Sequence, residues 1–160
     1  MKSTLIFIGI CLILGCKTKQ NTQANTNENN FEVNETEISN DKYPAINIRA
    51  SLGDVNTESS HVQILKSKIE GNSLILNIGY SGGCAEHTFE FIGSEMIAKS
   101  LPPIRTVTLV HNSNGESCRT YIERELIIDI SELAYKKESG SEIKLKAKNT
   151  EEFILYSYQG

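Results

Sequence analysis

"SLILNIGY", Ser73 to Tyr80, alternates along its whole length. Leu74, Leu76, Ile78 and Tyr80 share one face of an extended chain, and Asn77 and Gly79 fall on the other. A period of two marks a strand with one buried face, because successive side chains leave opposite sides of the pleat. Upstream, "HVQILKSKIE" joins it through Gly71-Asn72, a short connection of the hairpin kind. Downstream, "EHTFEFIG" puts His87, Phe89 and Phe91 on one face, and "RTVTLVH" does the same for Val107, Leu109 and His111. Between these two, "SEMIAKSLPPIR" reads as a loop stopped by Pro102-Pro103.

The remaining segments follow the same pattern. "NSNGES" has the vocabulary of a tight turn. "CRTYIERELIIDIS" reads as its return strand, with Leu126, Ile128 and Ile130 facing a core. "SELAYKK" has room for one helical turn, and "SEIKLKAK" with "EFILYSY" forms a closing hairpin around Asn149-Thr150. "AINIRASL" opens the domain. Short strands with regular turn signals predict an all-β domain over residues 42–160, a single small antiparallel β-sandwich. A small up-and-down, lipocalin-like barrel is the alternative.

The chain starts "MKSTLIFIGICLILGCKTKQ". One charge, Lys2, precedes an apolar run from Leu5 to Leu14, which is shorter than the ~20 residues a membrane-spanning helix needs. A charged start followed by a short apolar run is the build of a secretory leader. Ile13-Leu14-Gly15-Cys16 resembles a bacterial lipobox. The resemblance implies that residues 1–15 are a lipoprotein signal peptide, removed with Cys11 inside it. It further implies that Cys16 carries diacylglycerol on its thiol and a further acyl chain, such as palmitate, on the new amino terminus. Several acyl chains anchor stably where one does not. Residue 17 is Lys rather than Asp, and by the same resemblance this favours the outer membrane.

Residues 16–41 then form a tether of Asn, Thr, Gln and Glu, too poor in apolar side chains to offset the entropy of ordering. The formal charge of −4, one unit more negative without Lys2, and the absence of a basic stripe argue against nucleic-acid partners.

"LVHNSNGESCRTYIERELIIDISEL", Leu109 to Leu133, is similar to the carboxy-terminal β-sandwich of NigD-like bacterial lipoproteins. The match rests on His111-Asn112 at a strand end, on the turn Asn114-Gly115-Glu116, and on Ile128-Asp129-Ile130-Ser131. The strand start from Leu74 to Tyr80 also looks like theirs. The resemblance implies fold and location, and it brings no chemistry with it. That family carries a small barrel ahead of the sandwich, for which this chain is expected to be too short. The Cys84 and Cys118 pair is a departure from the family.

Four side chains stand out as a candidate site: Cys84, His87, His111 and Cys118. If the strands bearing them pair antiparallel, all four meet at one edge of the domain. With Cys11 and Cys16 accounted for, two cysteines remain in an exported chain, where disulfides persist. Closing a loop of that length is worth roughly 3–4 kcal/mol in a chain-entropy model. The expectation is therefore a Cys84–Cys118 disulfide with His87 and His111 packed beside it as spectators. The alternative is a zinc or copper site made by the same four residues.

A thiol nucleophile at Cys84 with His111 and Asn112 or Glu86 can be drawn, but no complete catalytic set is present, so no catalytic residue is expected. Gly82-Gly83 reads as a sharp entry into a strand, and "HNSNGES", with only Glu116 as an acid, as a turn rather than a calcium loop. His61 receives no role.

The expected protein is thus non-enzymatic, lipid-anchored in the cell envelope and free of cofactors. Its partners would be the membrane, through the anchor, and an envelope protein or glycan. The alternative function is zinc or copper binding through the Cys/His cluster.

Overall fold

The computed structural model describes residues 43–160. The expected signal peptide, Cys16 and the expected tether lie outside them. Among the described residues nine strands form: β1 (Ile46–Arg49), β2 (Ser51–Gly53), β3 (Gln63–Glu70), β4 (Ser73–Gly82), β5 (Thr88–Ala98), β6 (Ile104–Asn112), β7 (Thr120–Asp129), β8 (Glu142–Ala147) and β9 (Phe153–Ser157). A single 3-10 turn spans Ser131–Leu133, inside the segment expected to hold one helical turn. The strands make two sheets, in the orders β1-β7-β4-β3 and β2-β5-β6-β8-β9. They pack face to face as a β-sandwich and do not close into a barrel.

The alternating residues build the core. Leu74, Leu76, Ile78 and Tyr80 from β4, with Ile122, Leu126 and Ile128 from β7, are buried against Phe89 and Phe91 of β5. Val107 of β6, Ile143 and Leu145 of β8, and Tyr156 of β9 join that cluster, as do Ala50, Ile130, Leu133 and Ala134. Both expected hairpins are present: β3 pairs antiparallel with β4, and β8 with β9. Gly71 takes φ +59° in the first, a conformation that a side chain bearing Cβ resists.

Three expectations are corrected. First, the sandwich is not purely antiparallel. β1 pairs parallel with β7, β2 with β5, and β6 with β8. "AINIRASL" is two strands, because the chain steps from one sheet to the other at buried Ala50. Second, "SEMIAKSLPPIR" is not all loop. β5 continues to Ala98 and pairs Ile97 with Arg105 beyond a register shift. The bulge breaks the alternation and so hides the strand.

Third, "CRTYIERELIIDIS" is not the hairpin partner of "RTVTLVH". β6 and β7 lie in different sheets, so the turn between them is a crossover. Asn114 and Gly115 do make the tight turn, with φ 52° and 71° and a bond from Glu116 N–H to Ser113 C=O. Turn chemistry sets a reversal of the chain, not the sheet it lands in.

Candidate functional site

β4 runs the length of the sandwich, with a polar cluster at each end. At its start, Asn72 binds three elements. Its Oδ1 accepts the Tyr156 hydroxyl at 2.8 Å and the Gln159 N–H at 2.8 Å. Its Nδ2 donates to Gln159 C=O, and its own C=O accepts from Ile130 N–H. Tyr156 is fully buried, and burial pushes its hydroxyl up to about 12, so it stays a donor.

At the far end of β4, His87 and His111 come together. β5 and β6 pair antiparallel with Phe89 opposite His111, which brings the start of one strand to the end of the other. Both imidazoles are buried among Tyr80 and Phe89, with His111 stacked on Phe89 at 4.9 Å between ring centres. A hydrogen-bonded row runs through them. His111 Nδ1 lies 3.0 Å from His61 C=O, His111 Nε2 lies 2.6 Å from His87 Nδ1, and His87 Nε2 lies 2.7 Å from Glu116 Oε1. Glu116 Oε2 also accepts the N–H groups of Cys84, at 2.8 Å, and Ala85, at 2.5 Å.

Both end atoms of the row, a carbonyl and a carboxylate, are acceptors. Burial holds His111 below its ordinary 6.5, so it stays neutral. Burial pushes the Glu116 carboxyl up, but its bonds to His87 and to the Cys84 and Ala85 amides outweigh that and leave it below its usual 4.5. The row therefore ends in an enclosed contact between the His87 imidazole and the Glu116 carboxylate, with side chains 2% and 5% exposed.

Cys84 and Cys118 are joined in a disulfide with Cα atoms 6.0 Å apart. It links the loop before β5 to the residue two places before β7 starts. The Glu116 carboxylate and the two sulfurs lie within 4.8 Å of one another. The four residues singled out in the sequence thus share one end of the domain, but not as one ligand sphere. The sulfurs bond each other, and the imidazoles bond each other and Glu116. The role of spectator given to His87 and His111 is corrected: they belong to a charged network that fastens the disulfide loop through Glu116. His61, given no role, supplies the carbonyl that fixes the His111 tautomer.

Glu116 is the residue that the sequence reading missed. A lone acid in a turn reads as solvated, and only the crossover buries it. Gly82 carried the signal. It continues the inward series Leu74, Leu76, Ile78, Tyr80 with no side chain at all. A Cβ there would sit 2.6 Å from His87 Nε2 and still closer to Glu116 Oε1. The missing side chain is the space that the His87–Glu116 contact fills.

Two depressions flank the site. One is a polar pocket of about 330 Å³, bounded by Ser81, His111, Glu116, Ser117 and Arg119 among others. The other is a groove of about 960 Å³ where the sheets part between edge strands β3 and β9. Core residues Leu74, Leu76, Phe91, Val107 and Leu145 form its floor. Leu65 of β3 and Phe153 of β9 also line it and stay exposed. His61 borders both depressions.

No family model and no curated protein matches the chain. Solved structures do. The chain is similar to a protein of unknown function, DUF1344, from Bacteroides vulgatus, with TM-score 0.50 and 17% identity over 74% of this chain and 58% of that one. It is also similar to a NigD-like immunity protein from Bacteroides caccae, with TM-score 0.47 and 12% identity over 71% and 59%. A putative toxin-related protein from Parabacteroides distasonis gives TM-score 0.46 and 15% identity over 71% and 61%. The chain therefore spans under two thirds of the length of these proteins. The likeness to the DUF1344 protein shows the fold alone.

Proposed function

We propose that this protein is a non-enzymatic lipoprotein of the cell envelope, anchored through Cys16 in the outer membrane, whose disulfide-pinned sandwich binds a protein or glycan partner. The observation that supports binding is the groove between β3 and β9. Its floor is the hydrophobic core itself, and among the described residues both bordering strands keep an unpaired edge. Exposed apolar grooves and open strand edges are the surfaces on which soluble domains receive partners.

The test has two parts. Cys16→Ser should leave the chain unprocessed or released from membranes, and a variant that still fractionates as a mature anchored form removes the lipid anchor from the proposal. A photo-crosslinking residue at Leu65, inside the groove, should capture one discrete envelope component that the same residue at exposed Glu123 of β7 does not. Identical products from both positions would show that the groove is not the contact surface.

A further inference from the structure

The polar pocket at the histidine end has an uneven set of free groups. Most of its acceptors are taken. Glu116 already receives His87 and two backbone N–H groups, both His111 nitrogens are engaged, and the Ser60 hydroxyl is bonded to that of Ser113 at 3.0 Å. What remains is donor-rich. The Ser81 and Ser117 hydroxyls, the Arg119 guanidinium and the His61 imidazole line the pocket, and among the described residues none of these side chains has a partner. A guanidinium offers five N–H donors and no acceptor, and a hydroxyl can turn its proton toward whatever enters.

Among the described residues Glu116 is the only acid on the wall, and both its oxygens are already engaged, by His87 and by the Cys84 and Ala85 N–H groups. Arg119 is the cation whose donors stay open to the pocket. A donor-lined pocket with a free guanidinium selects a single negative charge. A planar guanidinium matches a carboxylate through two parallel bonds. The volume, about 330 Å³, lies at the small end of ligand pockets.

We propose that this pocket is a carboxylate-binding site, with Arg119 as the ion partner and Ser81 and Ser117 as flanking donors. The inference deepens the binding reading above and rests on it for its biological sense: the carboxylate belongs to an acidic sugar or to the free carboxy terminus of a peptide. Since His61 borders both the pocket and the groove, one extended partner can occupy the two together.

The full chain, purified in detergent and followed by ¹H–¹⁵N spectra, provides the test. Probes are glucuronate, glucose, sulfate, and one short peptide with either a free or an amidated carboxy terminus. Saturable shifts at Ser81, Ser117 and Arg119 are expected from glucuronate or from the free-acid peptide, which separates the two sources. Glucose and the amidated peptide should leave these signals in place. Arg119→Ala, at an exposed position, should keep the rest of the spectrum and weaken binding about tenfold or more, with Arg119→Lys in between.

The proposal is overturned if neither carboxylate binds, if glucose shifts the same signals, if sulfate binds more tightly than either carboxylate, or if Arg119→Ala binds as well as the parent. Carboxylate indifference in a protein that still crosslinks from Leu65 sinks the pocket and spares the groove. Carboxylate binding without that crosslink does the reverse.

Discussion

The two ends of β4 solve one problem in two ways. Both must fix a buried junction where strands of different sheets meet. The Asn72 end does it with neutral groups, one amide holding a tyrosine hydroxyl and the backbone of the chain's last residues. The His87 end uses titratable groups, two imidazoles in a row that ends in a carboxylate. A neutral junction holds at any ordinary pH. A titratable one is held only while its groups keep their protonation, and it stands beside the disulfide and the polar pocket. The difference teaches where the molecule is sensitive to its surroundings.

The largest expected effect concerns the disulfide, which reinforces only the charged end. Cys84→Ser should destabilise the domain by about 3–4 kcal/mol in urea unfolding, the chain-entropy value for a loop of this length. Cys118→Ser and the double variant should match it, because each removes the same bond. Additive losses from the two single variants would mean that the cysteines act separately.

At the neutral end, Asn72→Ala should cost about 2–3 kcal/mol, since it leaves the buried Tyr156 hydroxyl without a partner. Tyr156→Phe removes donor and demand together and should cost only about 1 kcal/mol. Neither loss should change between pH 7.5 and pH 5. A pH-dependent loss at Asn72 would erase the distinction between the ends.

The smallest effect is the pH response of the charged end. His111 is held below its ordinary 6.5 by burial. Under that value the unfolded chain takes up a proton that the folded chain refuses, so stability declines as pH falls through 6.5. Against the upward push of burial, Glu116 is held below its usual 4.5 by its bonds to His87 and to the Cys84 and Ala85 amides. Its contribution is present above that value and is lost on further acidification. Both signs agree. The urea midpoint should fall from pH 7 downward and more steeply below 4.5. Corrected for intrinsic rates, the Cys84 and Ala85 amides should lose protection from exchange before Gln159 does. Simultaneous loss at both ends would show one cooperative unit instead.

Much of the frame was legible because its signals are local. Leu74 to Tyr80 states its own periodicity, and Gly71-Asn72 states its own turn. The parallel pairings left no such trace. Nothing near Ile46 indicates that its partner is Leu126, and a bulge beyond Gly93 erased the alternation that would have revealed the rest of β5. At the site, period two correctly sent His87 and His111 inward, and exported cysteines suggested the bridge. Glu116 could not be found that way. Its burial depends on β6 and β7 lying in different sheets, whereas its turn residues are those of any hairpin.

The short opening strands carry a consequence for how the domain is assembled. β1 and β2 come first in the described chain, yet their partners are β7 in one sheet and β5 in the other. A chain delivered amino terminus first would present Ile46–Gly53 long before Leu126–Asp129 exists to receive it. The step at Ala50 then demands that both sheets already stand at the right separation. Closing so long a loop costs entropy before any contact rewards it, and such pairings are slow. The earliest strands would be the last to dock, leaving an apolar edge that must stay unpaired until the rest of the sandwich is built.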